Sequence, residues 1–145
     1  MSEKNVVCRT TQAQIDHIRG TFQGGTMPDL SITSEVRNVE GKDIEVVQLE
    51  GFIDSHTFPE FESMLNASLE RGARRFLLNM RGLNYINSTG LGLLMSVYRQ
   101  VRQESGDLAV AQMSEKITNI FNLLGFSRII KSFPGEEEAI RGLID

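Results

Sequence analysis

The sequence predicts an α/β fold in which roughly four to five strands form a mixed sheet packed by about four helices. From Asp29 onward, the spacing of apolar residues changes repeatedly between the alternation of a strand and the period of a helix. Strands alternate with helices in the second half, which favours parallel pairing through right-handed crossovers. The first two strands are separated by a short link, which favours an antiparallel hairpin.

Two strands joined by a turn are predicted at the start of this patterned region. Leu30, Ile32 and Val36 are spaced as in a half-buried strand. The run 44–49 is β-branched and apolar enough to be its partner. Residues 38–43, which include a glycine, are therefore predicted to form the turn.

The first helix has a well-marked start and end. Thr57 and Glu60 have the spacing of a capping box, and Pro59 is tolerated in the first turn of a helix. Apolar residues then recur at helical spacing, namely Phe58, Phe61, Leu65 and Leu69. An amphipathic helix is therefore predicted up to Gly72.

The second half alternates between buried strands and amphipathic helices. The run 76–80 is apolar and too short for a helix, so we predict a central strand that is covered on both faces. Two further strands are expected at 108–111 and 129–133. Three more helices are expected. The first carries Leu91, Leu94, Tyr98 and Val101 and ends near Gly106. The second is capped by Ser114, carries Ile117, Ile120, Phe121 and Leu124 and ends at Gly125, and the third begins at Pro134 and carries Ala139, Ile140 and Leu143.

The chain is predicted to consist of a leader and one domain. Its 145 residues and 40% hydrophobic content suit a single core. Gly24, Gly25 and Pro28 separate a polar leader at residues 1–28 from a domain at residues 29–145. Apolar side chains within 11–22 are spaced as in a short helix, and the alternative is a disordered leader.

Charge and hydropathy exclude several classes of protein. The net charge is −4 and the 15 basic residues are scattered, so direct binding to nucleic acid is not expected. The N-terminus lacks the apolar run of a signal peptide, and no stretch approaches the roughly 18 apolar residues of a membrane span. We therefore predict a cytoplasmic protein. Cys8, His17 and His56 are not in metal-ligand spacing, so no metal or cofactor is predicted.

Catalytic signatures are sparse, and an enzyme is not predicted. The sequence has no Gly-x-Ser-x-Gly elbow, no phosphate-binding loop and no His-Glu-x-x-His. The glycines at Gly90 and Gly92 lack the third glycine of a dinucleotide fingerprint, because Met95 stands at that position. Residues 136–138 are glutamates at a predicted helix start, which indicates a solvated face that complements the helix dipole.

The segment 87–90, Asn-Ser-Thr-Gly, is the candidate site. Asn87 or Ser88 can be an N-cap that accepts a hydrogen bond from a free backbone N–H. A hydroxyl here is also expected at the end of a strand-to-helix turn, where α/β proteins often carry functional residues. A phosphate on it would meet the positive end of its own helix. The spacing alone favours neither the structural nor the functional interpretation.

Three motifs resemble those of the STAS family and occur in the family's order. Residues 83–92 are similar to its phosphorylation-site segment, an apolar pair followed by Asp-Ser-Ser/Thr-Gly-Leu-Gly. Residues 49–54 resemble its Leu-x-Gly-x-Leu-Asp, and residues 123–126, Leu-Leu-Gly-Phe, resemble the segment before its last strand. The resemblance covers residues 29–143 and implies a STAS-like mixed sheet of the anti-sigma factor antagonist type.

The resemblance also implies a phosphorylation switch. Ser88 matches the phosphoacceptor, with Thr89 as the alternative. The implied partners are a serine kinase of the histidine-kinase-like ATPase type, which is also the anti-sigma factor, and a metal-dependent serine phosphatase. Asn87 stands where the family usually has Asp, and Asn79 where the preceding strand often has Asp. The implied partner-binding residues are Asp54, Asn87, Ser88, Thr89, Gly90, Leu91 and Gly92.

Three hypotheses about function follow. The first is a regulatory binding module that holds the kinase, frees its sigma factor and is controlled at Ser88; ATP and magnesium would belong to the kinase. The second is a STAS scaffold or a transporter-associated interaction module that never carries a phosphate. The third, an enzyme in its own right, lacks a set of nucleophile, base and orienting group. We therefore predict a signalling protein and not a catalyst.

Overall fold

The computed structural model describes residues 6–9 and 30–144. The strands within these residues are β1 (Val6–Arg9), β2 (Leu30–Val39), β3 (Lys42–Ile53), β4 (Arg75–Ile86), β5 (Asp107–Ala111) and β6 (Lys131–Phe133). The α-helices are α1 (Phe58–Glu70), α2 (Ser88–Gln103), α3 (Glu115–Leu123) and α4 (Glu136–Ile144), and Phe126–Arg128 form a 3-10 helix.

The described strands form one mixed sheet in the order β1-β2-β3-β4-β5-β6. The pairs β1–β2 and β2–β3 are antiparallel, whereas β3 to β6 are parallel. Strands β2 to β6 and the four helices confirm the predicted α/β fold, with β4 in the centre. The edge strand β1 lies in the leader and was not predicted. The short helix predicted within residues 11–22 lies outside the described residues.

The two faces of the sheet are covered unequally. Parallel strands that follow one another through crossovers of one hand place their connecting helices on the same face. Accordingly α1, α2 and α3 share an apolar core that includes the fully buried Phe61, Phe76 and Phe121. Helix α4 follows the last strand and packs on the opposite face, against Ile44 and Leu77 among others.

The turn between β2 and β3 is shorter than predicted. Glu40 and Gly41 alone connect the paired residues Val39 and Lys42, and their φ angles are 55° and 83°. Two successive positive φ angles are typical of a type I′ turn, whose twist matches that of the flanking strands. The turn therefore consists of residues 40 and 41 alone, the centre of the predicted turn at 38–43.

Strand β4 is longer than the sequence predicts. A turn was expected before Ser88, but β4 continues to Ile86 and only Asn87 separates it from α2. Asn84 and Tyr85 are exposed at this end of β4. The end of the strand therefore lacks the continuous apolar run that identified its beginning.

Helix α1 begins where predicted, although not through the predicted cap. Thr57 is the N-cap residue but its side chain makes no capping hydrogen bond. Its hydroxyl instead donates to the Phe52 carbonyl at 2.7 Å and accepts from the Asp54 N–H at 3.0 Å. The Thr57 side chain therefore stabilises the loop before the helix.

The start of α4 corrects the prediction of a solvated glutamate run. The Glu136 carboxylate accepts hydrogen bonds from Arg37 at 3.1 Å, Gln48 at 2.8 Å and Asn79 at 2.6 Å. Burial would raise the pKa of Glu136, but these hydrogen bonds and the positive charge of Arg37 outweigh burial and lower the pKa below its ordinary value. The solvated interpretation is wrong for Glu136, while Glu137 and Glu138 are exposed.

The end of α3 also differs from the prediction. Leu124 was assigned to the apolar face of the helix, but α3 ends at Leu123 and Leu124 is 53% exposed. The 3-10 helix follows, so β6 begins at Lys131 and not at residue 129. Gly125 has a φ of 79°, which is the left-handed conformation expected of a glycine after a helix.

Candidate functional site

The candidate site lies at the carboxyl edge of the parallel strands. Ile53 and Ile86, the last residues of β3 and β4, are partners in the sheet. Immediately beyond them, the Asn87 N–H donates to the Ile53 carbonyl at 2.9 Å. The loop that begins at Asp54 and the start of α2 are therefore held side by side. Ligand and partner sites are common at this edge of α/β sheets.

Asn87 is the N-cap of α2. Its φ and ψ are −89° and 177°, and its side-chain oxygen accepts from the Gly90 N–H at 2.8 Å. The structure thus selects Asn87 over Ser88 as the cap. An amide oxygen and a carboxylate oxygen cap a helix about equally well, so the Asn in place of the family's Asp retains the local fold.

Ser88 and Thr89 are the first two residues of α2. Both are exposed, and neither hydroxyl forms a hydrogen bond within the part of the chain that the structure describes. An exposed hydroxyl without a hydrogen bond to the described residues can be modified without loss of such a bond. Both hydroxyls are therefore sterically available to another protein.

Two glycines in α2 have different roles. A Cβ atom at Gly90 would lie 2.8 Å from Ile53 Cγ2 and 2.9 Å from Ile86 Cγ1, so only glycine lets the helix pack this closely against the strand ends. A Cβ at Gly92 would contact nothing within 4 Å, and Gly92 is exposed. Leu91 is 1% exposed. Gly90 and Leu91 thus position the turn, whereas Gly92 adds to its accessible surface.

Asp54 organises the neighbouring loop. Its Oδ1 atom accepts from the N–H groups of His56 at 3.0 Å and Thr57 at 3.1 Å. An aspartate that accepts from backbone N–H groups shortly after it forms an Asx turn. Asp54 is half-buried. Its side chain therefore holds the loop that borders Asn87.

Two aromatic side chains at the same edge were missed by sequence reasoning. Phe52 is 45% exposed and Tyr85 is 38% exposed, and they are partners in the sheet. Strand alternation places them on the opposite face from the buried Ile53 and Ile86. That alternation was the available signal, but it requires knowing that β4 extends this far.

The charge at the start of α2 differs from that of the other helices. The first turn of α2 has no acidic residue, whereas α1 has Glu60, α3 has Glu115 and α4 has residues 136–138. The N-terminus of a helix carries a partial positive charge that a nearby anion stabilises. Among the α-helices that the structure describes, α2 alone lacks this compensation.

The described residues offer neither a metal site nor a membrane-spanning helix. No group of three or more His, Cys, Asp or Glu side chains among them could hold a metal ion. None of the helices that the structure describes is long and apolar enough to cross a membrane.

The sequence matches known regulators. Residues 35–139 match the model of the STAS domain. An anti-sigma-B factor antagonist of Staphylococcus aureus is 29% identical over 91 residues, which cover 63% of this chain and 84% of the relative.

Solved structures share the fold. An anti-sigma factor antagonist from Mycobacterium paratuberculosis aligns with a TM-score of 0.69 and 23% identity, covering 83% of this chain and 99% of the other. The anti-sigma factor antagonist SpoIIAA in its unphosphorylated form aligns with a TM-score of 0.61 and 21% identity, covering 77% and 99%. The phosphorylated form of the Bacillus cell fate determinant SpoIIAA aligns with a TM-score of 0.56 and 20% identity, covering 74% and 96%. The STAS domain model matches most of the chain, and the chain belongs to the STAS domain family.

Proposed function

We propose that this chain is an anti-sigma factor antagonist that binds a serine kinase and is released from it by phosphorylation of Ser88. The kinase would be an anti-sigma factor of the histidine-kinase-like ATPase type, and it would supply ATP and magnesium. A metal-dependent serine phosphatase would restore the unphosphorylated form. The names of the relatives describe regulators and not enzymes.

The observation that carries the proposal is the position of Ser88. Its hydroxyl is exposed on the first residue of α2, the only described α-helix whose first turn has no carboxylate. A phosphate adds a charge of about −1.5 to −2 at neutral pH. Near a helix N-terminus, such a charge stabilises the fold by about 0.3 to 1 kcal/mol. The domain is therefore expected to remain folded when it is phosphorylated.

The switch must then act on binding. The exposed Ser88, Thr89 and Gly92 form one surface on α2, next to the cap at Asn87. If a kinase covers this surface, a phosphate on Ser88 is trapped against an apolar or acidic patch. Desolvation and repulsion of a buried charge cost about 2 to 5 kcal/mol. A loss of that size corresponds to about 30-fold to several thousand-fold in affinity.

SpoIIAA, which is 20% identical to this chain, has been solved in a phosphorylated form. It indicates that the same fold is compatible with a phosphate. The cap at Asn87 supports the transfer of the role to Ser88, because the Asn87 side chain keeps the turn in place without a carboxylate.

Mass spectrometry of the native protein tests the proposal. We expect the intact chain recovered from its own cells to include a form heavier by one phosphate, and fragmentation to locate that phosphate on Ser88. Thr89→Ala is the matched control, because it removes the neighbouring exposed hydroxyl and should leave phosphorylation intact. Phosphate on Thr89 alone, or no phosphorylated form when the cognate kinase is active, would refute the role of Ser88.

One observation favours a second function. Asn87 replaces the carboxylate that the family usually has before the phosphoacceptor. The loss of this carboxylate favours a STAS scaffold or a transporter-associated module that carries no phosphate. Co-purification with the product of a neighbouring gene separates the two. A histidine-kinase-like ATPase supports the switch, whereas a transporter supports the scaffold.

A further inference from the structure

A second exposed apolar surface lies far along the chain from Ser88. Leu123 is 84% exposed, Leu124 is 53% exposed and Ile129 is 44% exposed. Together with Arg128 and Lys131, we call these residues the 123–131 surface. The described part of the chain has only two other large apolar side chains with comparable exposure, and both are aromatic residues near Ser88. Clustered exposed apolar residues often mark a site of interaction.

The backbone beneath this surface is firmly held. The Arg128 N–H donates to the Gly125 carbonyl at 3.2 Å, and the Ile130 N–H donates to the Phe126 carbonyl at 2.9 Å. The ring of Phe126 packs edge-on against that of Phe121, with centroids 5.8 Å apart. The exposed side chains therefore project from an ordered support, which limits the entropy lost when a partner binds.

The charge around this surface is opposite to that of the whole chain. Residues 119–135 contain two basic residues, Arg128 and Lys131, and no acidic residue, although the net charge of the chain is −4. Lys131 does approach a carboxylate on β5, but its amine is 3.7 Å from the Asp107 oxygen and the Lys131 side chain is 58% exposed. The apolar side chains are thus bordered by cations, and an acidic partner would complement them.

The 123–131 surface and Ser88 lie at opposite edges of the sheet. Helix α3 begins after the carboxyl end of β5 and returns toward the amino ends of the parallel strands, where β6 starts. Ser88 follows the carboxyl end of β4. A partner on one edge therefore leaves the other edge accessible.

We propose that the 123–131 surface docks an acidic protein segment that carries apolar side chains. The apolar side chains of the segment would cover Leu123, Leu124 and Ile129, and its carboxylates would pair with Arg128 and Lys131. An anionic membrane is disfavoured because a flat surface on this edge would also meet the exposed carboxylate of Glu104, whereas a narrow segment can lie beside Arg128 and Lys131 alone. A symmetric pair of copies is disfavoured because it would oppose Arg128 and Lys131 to themselves.

Selection of peptides from a random phage-displayed library on the full chain tests the docking surface. We expect enrichment of acidic peptides that contain Leu, Phe or Trp, with affinity that falls as salt is added. The Leu123→Ser/Ile129→Ser variant should bind the selected peptides with an affinity lower by about tenfold or more, which is a readily measured change. Arg128→Gln/Lys131→Gln should reduce both affinity and salt dependence.

Phe52→Ser is the matched control, because it removes an exposed apolar side chain at the other edge, and it should bind the selected peptides normally. All variants must show the thermal unfolding of the unchanged protein. Three results would overturn the proposal: no enrichment beyond that of the Leu123→Ser/Ile129→Ser variant, concentration-dependent self-association that this variant abolishes, or binding to phosphatidylglycerol vesicles that it abolishes. Because the test does not involve Ser88, it can fail while the proposed switch holds.

Discussion

The first turns of α2 and α3 differ at one position that matters. Both helices follow parallel strands and both have a side-chain cap, since Asn87 accepts from the Gly90 N–H at 2.8 Å and Ser114 accepts from the Ile117 N–H at 3.2 Å. The residue after the cap is Glu115 in α3 and Ser88 in α2. One helix thus has a permanent negative charge where the other has a hydroxyl.

This difference separates stability from regulation. The carboxylate of Glu115 is a permanent part of the first turn of α3 and stabilises the N-terminus of that helix. A phosphate on Ser88 would supply the same kind of stabilisation only when a kinase adds it. A position that the fold can leave uncharged is a position where charge can be changed at little structural cost.

The largest expected effect concerns binding of the cognate kinase. Ser88→Asp should weaken the complex by about 100-fold or more, because it buries a charge in the interface. Ser88→Ala should bind as tightly as the unchanged protein, and both variants should stay folded. Calorimetric titration of each variant against the kinase measures this.

Glu115→Ser is the matched control for that titration. It makes the first turn of α3 resemble that of α2, and it should leave kinase affinity unchanged. Equal affinities of the Ser88→Ala and Ser88→Asp variants would remove Ser88 from the mechanism.

The next effect concerns the third residue of each helix. In α3 the third residue is Ile117, which is fully buried. In α2 the third residue is Gly90, and the side chains of Ile53 and Ile86 already fill the space beside it. Gly90→Ala should therefore destabilise the fold by about 1 to 3 kcal/mol through overpacking. Gly92→Ala is the control, and its higher helix propensity should stabilise the fold by up to about 1 kcal/mol. Denaturant unfolding of both variants decides whether the two glycines differ as described.

The start of α4 predicts how the stability of the fold depends on pH. Glu136 opens α4, and its lowered pKa means that its charged form is the one the fold favours. The stabilisation is present above the unfolded pKa, near 4.5, and is lost as pH falls through the lower folded value. The unchanged protein should thus be more stable than Glu136→Gln at neutral pH, and the difference should shrink below about pH 4.5. A constant difference across that range, measured by chemical denaturation, would contradict the assigned role of the charge.

The smallest effect concerns the two caps. Asn87→Ala and Ser114→Ala should each destabilise the fold by about 1 kcal/mol, since each removes one acceptor for a helix N–H.

Asn87→Asp should retain the cap and be phosphorylated at least as fast as the unchanged protein, because a carboxylate can orient the serine hydroxyl. Slower phosphorylation at saturating ATP would show that charge repulsion outweighs orientation.

The parts of the fold that could be predicted depend on local signals. The hairpin, the cap at Ser114 and the glycine end of α3 each follow from a few neighbouring residues. The role of Glu136 could not be predicted, because its partners Arg37, Gln48 and Asn79 come from three different strands. In the site, the motif identified Asn87 and Ser88, but only the packing of Gly90 against two isoleucines distinguishes it from Gly92.

The close packing of α2 against the ends of β3 and β4 affects how fast the proposed switch can respond. Gly90 lies directly against Ile53 and Ile86, and the Asn87 N–H is hydrogen-bonded to the Ile53 carbonyl, so the backbone around Ser88 has little room to move. Under the proposed switch, a phosphate would alter the surface without a rearrangement that takes time. The delay between phosphorylation and response would then be set by the rate of dissociation from the kinase, whereas the return to the unphosphorylated form would depend on encounter with the phosphatase and would scale with its concentration.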